Sequence, residues 1–167
     1  MIIPAFLPRL ALSVRQPWAH ALAYGWKDIE NRSWRVLSPA RQHRGPFCIH
    51  ASRGMTRSEY EDGRDVIESL GFACPPPAQL QRGGIIGAAR IVDVVKDHDS
   101  PWFSGPRGLV VADASPVDFI PAGGRLDFFE WRPLEGSDAP VSPARWMLPT
   151  APSQTSLPVD DRQGVLL

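Results

Sequence analysis

Glycine and proline mark the ends of most of the elements of secondary structure that this sequence predicts. The 167 residues include 14 glycines and 18 prolines. Glycine favours turns because it adopts positive φ angles, and proline removes a backbone N–H that helices and sheets need. No run approaches eighteen apolar residues, so the sequence predicts no membrane-spanning helix. The pattern favours a small curved sheet or barrel over a doubly wound fold.

The apolar patterning between these breaks predicts five or six strands and two main helices. The expected strands cover residues 10–14, 27–34, 45–51, 85–96, 109–112 and 126–131. The first helix covers residues 18–24, begins beside Pro17 and ends at Gly25. The second follows a capping box at residues 56–59, carries an apolar stripe of Tyr60, Ile67 and Leu70 with Val66 beside it, and ends at Gly71. A bend or bulge is expected at Gly87.

The composition is that of one ordinary globular domain followed by a different C-terminal segment. Apolar residues make up 43% and charged residues 22% of the chain, which is typical of globular proteins. From residue 133 prolines recur without apolar periodicity, so residues 1–132 are predicted to form the domain. Residues 133–167 are predicted to form an extended or disordered tail, docked locally through Trp146 and Met147.

The basic and acidic residues are unevenly distributed along the chain, although the net charge is zero. Residues 1–60 hold nine Lys and Arg against three Asp and Glu, whereas residues 61–167 hold nine against fifteen. This asymmetry can mark a basic face for a polyanion. The alternative is that the two parts interleave in space and their charges cancel.

The remaining features indicate a cytoplasmic protein that uses no metal and no cofactor. The N-terminus has no long apolar stretch of the kind found in export signals. The two cysteines, Cys48 and Cys74, fall in no metal-ligand spacing and are too few for a disulfide framework. No carboxylate or cysteine stands at ligand spacing from the four histidines.

Several motifs occur in the order found in one known family. They are LSVRQPW at residues 12–18, GWKDIENRSW at 25–34, RGPFCIHA at 44–51, GIIG at 84–87 and SPWFSGP at 100–106. Together they resemble the ASCH domain (activating signal cointegrator homology), a branch of the PUA-like β-barrels. The resemblance covers roughly residues 10–131 and implies an α+β fold, a small mixed barrel of five or six strands flanked by two helices.

The resemblance also implies a cleft that binds single-stranded RNA or a modified nucleoside. Some members resemble amidohydrolases that act on N4-acetylcytidine, in which a lysine works with a threonine three residues further on. Here Lys27 is followed at that spacing by Glu30. We expect Glu30 to serve as a general base for water and Lys27 to hold the developing oxyanion, provided that a turn or bulge brings the two together. The alternative for Glu30 is a structural salt bridge.

A further set of residues is predicted to bind the ligand. Arg15 and Gln16 precede a helix N-terminus, Arg44 enters a strand beside Gly45, and His50 ends that strand, so these four could clamp a phosphate and a base. The other predicted ligand contacts are Trp18, Arg32, Ser33 and Trp102, of which the two indoles are the expected stacking surfaces. Alternatively, Gln16 caps the helix and His50 is a core histidine.

Three function classes therefore remain open at this level. The first is an ASCH domain that binds RNA or a nucleoside as a monomer, and the second is an amidohydrolase that deacylates N4-acetylcytidine or a related nucleoside. The third is an interaction module that has no ligand of its own and uses the tail as its contact.

Overall fold

The computed structural model describes residues 4–33, 42–136 and 139–151. Within them lie six strands, two α-helices and two short 3₁₀ turns. The strands are β1 (Leu10–Val14), β2 (Ile29–Arg32), β3 (Gly45–Ala51), β4 (Gly84–Val95), β5 (Arg107–Pro121) and β6 (Phe128–Glu130); the helices are α1 (Trp18–Ala23) and α2 (Arg57–Ser69); the 3₁₀ turns are Pro77–Gln79 and Arg145–Met147.

The six strands form one mixed sheet in the order β2-β5-β4-β3-β1-β6. β1 and β3 are parallel, and the other neighbours are antiparallel. Register shifts interrupt the β4–β5 pairing at three places, one of them between Ile85 and Gly87, and such bulges bend a sheet. The sheet curls into a half-barrel with two helices, which confirms the predicted fold class and the bulge at Gly87.

The open side of the half-barrel lies between β2 and β1. β6 pairs only with residues 10–12 of β1, so the last two residues of β1 have no partner in β6. The Arg32 guanidinium of β2 donates to the carbonyl oxygen of Ser13 in β1 at 2.9 Å. One long side chain therefore joins two strands that do not pair directly.

The main apolar core fills the concave side of the sheet beneath α1. Leu12, Phe47, Ile49 and Leu109 are fully buried there together with Leu22 of α1. These side chains come from alternate positions of their strands and so share one face of the sheet. The intervening Ala11 and Cys48 are also buried, in a second apolar cluster on the other face. The core fixes α1 against the sheet and thereby the position of the segment that follows α1.

The segment after α1 differs from its prediction. β2 begins at Ile29 rather than at residue 27, because the backbone N–H groups of Trp26 and Lys27 both donate to the carbonyl oxygen of Ala21, at 2.9 and 3.1 Å. Gly25 has a φ angle of +72°, which glycine adopts without steric cost. The chain therefore folds back on α1 through Lys27 before it extends. Trp34, the end of the predicted strand, lies outside the described residues.

The capping box of α2 is confirmed. The Thr56 hydroxyl accepts from the backbone N–H of Glu59 at 3.2 Å, and the Glu59 carboxylate accepts from the backbone N–H of Thr56 at 2.7 Å. Arg15 also contacts this carboxylate, and its hydrogen bond lowers the pKa of Glu59 to about 2. Tyr60 and Ile67 are buried as expected, whereas Val66 is 40% exposed.

The β5 strand is much longer than the predicted strand at residues 109–112. Its second half alternates between partly buried and exposed positions and contains Pro116, so the sequence there has the composition of a loop. Pairing with β4 continues through it because the register shifts accommodate the proline. The last strand, predicted at residues 126–131, is shortened to β6.

The described part of the C-terminal segment packs against the domain. Met147 is 4% exposed and contacts the cluster around Met55, Tyr60 and Leu80. The Arg82 guanidinium donates to the carbonyl oxygen of Ser142 at 3.1 Å. The expected docking through Met147 is therefore present, while residues 152–167 of the predicted tail lie outside the described residues.

We predict that Gly63→Ala destabilises the protein. A Cβ at this position in α2 would lie 2.5 Å from Cγ and 2.7 Å from Cδ of Pro17, and a proline ring cannot rotate away. Alanine gains about 1 kcal/mol in helix propensity, but overpacking costs about 1–3 kcal/mol. We expect the free energy of unfolding in urea to fall by about 1 kcal/mol. Asp62→Ala, at an exposed neighbour, should change it by less than about 0.5 kcal/mol; a more stable Gly63→Ala protein would contradict the packing.

Candidate functional site

A cavity of about 450 Å³ opens between α1, β2, α2 and the loop before β5. Its lining residues are Trp18, Lys27, Glu30, Asn31, Val66, Pro101, Trp102 and Ser104. Four of the residues that the sequence predicts at the site therefore line one cavity: Trp18, Lys27, Glu30 and Trp102. Its volume lies within the range of small-molecule binding sites.

Lys27 and Glu30 form a buried ion pair in this cavity. The ammonium Nζ lies 2.8 Å from Glu30 Oε2, and the two side chains are only 4% and 11% exposed. Nζ also donates to the carbonyl oxygen of Ile29. In a continuous strand, residues 27 and 30 would point to opposite faces. They meet because Lys27 belongs to the turn after Gly25 and Glu30 to β2.

Arg32 lies on the far side of the same carboxylate. Its Nη2 is 3.4 Å from Glu30 Oε1 and, as described above, donates to Ser13 of β1. Glu30 therefore lies between two cations, and the three groups together carry one net positive charge. Within the described part of the chain, Arg32 Nε is buried and has no hydrogen-bond partner.

Asn31 fixes the loop that closes the cavity. Its Nδ2 donates to the carbonyl oxygen of Trp102 at 2.8 Å, and its Oδ1 accepts from the backbone N–H of Ser104 at 2.9 Å. The hydroxyl of Ser100 donates to Asp28 at 2.5 Å, which ties the start of the loop to the segment before β2. Asn31 was not predicted as a site residue, although it stands in the motif at residues 25–34.

Two indole rings form the apolar walls. Trp18 is half-buried, and Lys27 Nζ lies 5.9 Å from its ring centre. Trp102 is 6% exposed and is backed by Phe72, whose ring centre is 6.1 Å away. Val66 of α2 adds an apolar side chain to the lining. A planar ring system that carries polar groups at its edge would match walls of indole and a floor of ammonium and carboxylate.

Gln16 and His50 lie in the core rather than along this cavity. Each is 1% exposed. Gln16 donates to the carbonyl oxygen of Gln81 at 2.7 Å and accepts from the backbone N–H of His20 at 3.0 Å. His50 contacts Ser13 Oγ at 3.1 Å and the carbonyl oxygen of Ala122 at 2.8 Å. Burial lowers the pKa of His50, which favours its neutral form.

The other predicted ligand contacts are dispersed. Arg15 pairs with Glu59 of α2, and Arg44 pairs with Asp93 of β4 at 3.2 Å. Arg44 and His50 stand at opposite ends of β3, about 20 Å apart along the strand, so the structure does not bring the expected clamp together. Ser33 is exposed just beyond β2 and does not line the cavity.

The described residues contain neither a cluster of metal ligands nor a membrane-spanning helix. In residues 4–33, 42–136 and 139–151, no three His, Cys, Asp or Glu side chains come close enough to hold a metal ion. Neither helix in that part of the chain has the length and apolar character needed to cross a bilayer.

The half-barrel and its helix-flanked cavity define a PUA-like domain. A family model described as the ASCH domain matches residues 12–105, which is more than half of the chain. The protein therefore belongs to the ASCH domain family, and it carries a PUA-like domain of the RNA-binding type. No curated protein matches the sequence.

We predict strong energetic coupling between Lys27 and Glu30. Removing one partner of a buried pair leaves the other charge uncompensated. The losses in unfolding free energy caused by Lys27→Met and by Glu30→Gln should therefore add up to more than the loss in the double variant. A double-mutant cycle measured by urea denaturation should give a coupling free energy of about 1–3 kcal/mol between the two residues. The exposed pair Arg90–Asp113, whose side chains are 49% and 70% exposed, provides the control and should give less than about 1 kcal/mol. Equal couplings for the two pairs would show that burial is not decisive.

Proposed function

We propose that the cavity binds a nucleoside, either free and modified or as one base of single-stranded RNA. The observation that carries this proposal is that the half-buried indole of Trp18 faces the same 450 Å³ space as the Lys27–Glu30 pair. A nucleobase is planar and carries hydrogen-bond donors and acceptors on its edge. An indole wall offers stacking, and the ion pair offers one donor and one acceptor.

The energies of these contacts favour a base over a purely apolar ligand. Stacking a base on an aromatic side chain contributes about 1–3 kcal/mol. The Glu30 carboxylate accepts hydrogen bonds, and the Lys27 ammonium has one N–H beyond those directed at Ile29 and Glu30. An apolar ligand would leave these groups buried and without solvent, which costs free energy.

The charge near the cavity supports a phosphate-bearing ligand. Arg32 of β2 is paired across the sheet with Arg107 of β5, which places two basic residues side by side at one edge of the sheet. The Arg44–Asp93 pair shows that some basic residues of the first 60 positions do meet acidic residues from later in the chain. Binding to single-stranded RNA through phosphates should weaken with added salt, with a log–log slope of about −0.7 per contact.

Stacking on Trp18 gives the direct test of binding. In a calorimetric titration with cytidine and N4-acetylcytidine, Trp18→Ala should weaken binding by about 5-fold or more, because one stacking interaction is lost. Trp18→Phe should retain most of the affinity. Tyr24→Ala is the control, since Tyr24 is an exposed ring, 52% accessible, that does not line this cavity. Wild-type affinity in Trp18→Ala would remove the cavity from the binding function.

Amide hydrolysis is a second candidate, favoured by the 2.8 Å contact between Lys27 and Glu30 in the cavity wall. Glu30 would take a proton from water while the water oxygen attacks the acetyl carbon of N4-acetylcytidine. The Lys27 ammonium would donate a hydrogen bond to the resulting oxyanion. Collapse of this intermediate would break the C–N bond, and the proton held by Glu30 would pass to the N4 amine. The products are cytidine and acetate.

We expect chromatography after incubation with N4-acetylcytidine to separate the two candidates. If the protein is an amidohydrolase, Glu30→Gln should abolish cytidine release by removing the base, while N4-acetylcytidine still binds. Ser33→Ala should release cytidine at the wild-type rate, because Ser33 lies outside the cavity. Undiminished turnover in Glu30→Gln would exclude Glu30 as the base. Binding without any product from the wild type would leave a binding domain in which Lys27 and Glu30 contact the ligand.

A further inference from the structure

A second and larger groove runs along the other side of α2. It has a volume of about 1050 Å³ and lies between α2, the proline turn at residues 76–77 and the C-terminal segment at residues 145–150. Its lining includes three arginines and two aromatic rings: Arg57, Arg64, Arg145, Tyr60 and Trp146. None of these residues takes part in the cavity described above.

The groove is basic where Arg57 and Arg145 line it, and its aromatic rings lie beside guanidinium groups. Arg57 Cζ is 5.8 Å from the ring centre of Trp146, and Arg64 Cζ is 5.8 Å from that of Tyr60. Glu61 is the acidic residue of the lining, and Asp65 outside it pairs with Arg64 at 2.9 Å. Arg57 and Arg145 are exposed. Glu68, one turn further along α2, also acts electrostatically on Arg64, so the excess of positive charge lies at the end of the groove formed by Arg57 and Arg145.

The C-terminal wall of the groove is held in place by the domain. Met147 is 4% exposed, and the buried Arg82 guanidinium donates to the carbonyl oxygen of Ser142 and contacts the Met147 sulfur at 3.6 Å. The backbone N–H of Val141 donates to the carbonyl oxygen of Arg82 at 2.9 Å. This wall lies outside the family match at residues 12–105, so the groove depends on sequence beyond the matched region.

The helix α2 connects the two sites. Val66 lines the cavity, whereas Arg64, Tyr60 and Arg57 line the groove. With a rise of 1.5 Å per residue, the nine residues from Arg57 to Val66 span about 14 Å. A few nucleotides of an extended strand can cover such a distance.

We propose that this groove binds the nucleotides that flank a base held in the cavity, so that single-stranded RNA crosses α2. This inference rests on the proposed function. Guanidinium groups bind phosphates, and the half-buried ring of Trp146 can stack a base of any identity, which is the combination that single-strand binding surfaces use. Tyr60 is 6% exposed and belongs to the wall. An acidic peptide would use the arginines but would gain little from the Trp146 ring, so RNA is the occupant that uses both.

The test compares an octacytidylate RNA, followed by fluorescence anisotropy, with cytidine, followed by calorimetry. Arg57→Gln/Arg145→Gln removes two exposed charges without disturbing the core. It should weaken octacytidylate binding and reduce the magnitude of the log–log salt slope by about 1.4, which is two phosphate contacts. Trp146→Ala should weaken the same binding by about 5-fold or more. Neither variant should change the affinity for cytidine.

Arg9→Gln/Arg125→Gln is the matched control, since both arginines are exposed and neither lines the groove. It should leave the salt slope nearly unchanged. Three results would overturn the proposal that the groove binds RNA. They are equal effects of the two double variants, wild-type octacytidylate binding in the groove variants, and no octacytidylate binding by the wild type. Equal displacement of the RNA by an oligoglutamate of the same charge would also overturn it, because the site would then be a general polyanion surface.

Failure of the proposed function has a different signature. If the wild type does not bind cytidine or N4-acetylcytidine, the cavity proposal is wrong. Loss of octacytidylate affinity in Arg57→Gln/Arg145→Gln would in that case still establish the groove as an RNA site. If cytidine binds and the groove variants behave as the wild type, the cavity stands and the groove does not.

Discussion

The buried ion pair between Lys27 and Glu30 determines the local structure of the site. An ammonium and a carboxylate removed from water are tolerated only when each has close polar partners. Lys27 reaches Glu30 and Ile29 because the turn at Gly25 keeps it out of the strand. The turn therefore explains both why β2 begins late and how a polar centre comes to lie at the base of a largely apolar cavity.

Three consecutive residues of β2 extend this centre in different directions. Glu30 faces the cavity, Asn31 holds the loop that carries Trp102, and Arg32 joins the open side of the half-barrel to β1. The same short strand thus sets the charge of the site and the position of one indole wall, and it bridges the open side of the half-barrel. A change in β2 is expected to affect fold and binding together, which is why conservative variants are preferred at these positions.

Much of the fold could be predicted from local sequence, because its signals are local. The capping box of α2 and the apolar patterns of β1 and β3 depend on neighbouring residues, and the observed bounds of these strands match the predicted ones. β5 could not be predicted because its outward face is polar and its proline is accommodated only by bulges. Resemblance to the ASCH family pointed to Lys27 and Glu30, whereas the ties made by Asn31 and the close contact at Gly63 depend on tertiary packing.

We propose that a nucleoside occupies the space between the indoles of Trp18 and Trp102. The most direct measurement is a titration with N4-acetylcytidine followed through the indole N–H resonances in a nitrogen–proton NMR spectrum, assigned by single Trp→Phe variants. If the nucleoside binds there, the Trp18 and Trp102 resonances shift, while the resonance of Trp131, which donates to the carbonyl oxygen of Pro8 at 2.7 Å, stays in place. An unchanged spectrum, or shifts confined to Trp146, would contradict binding in this cavity.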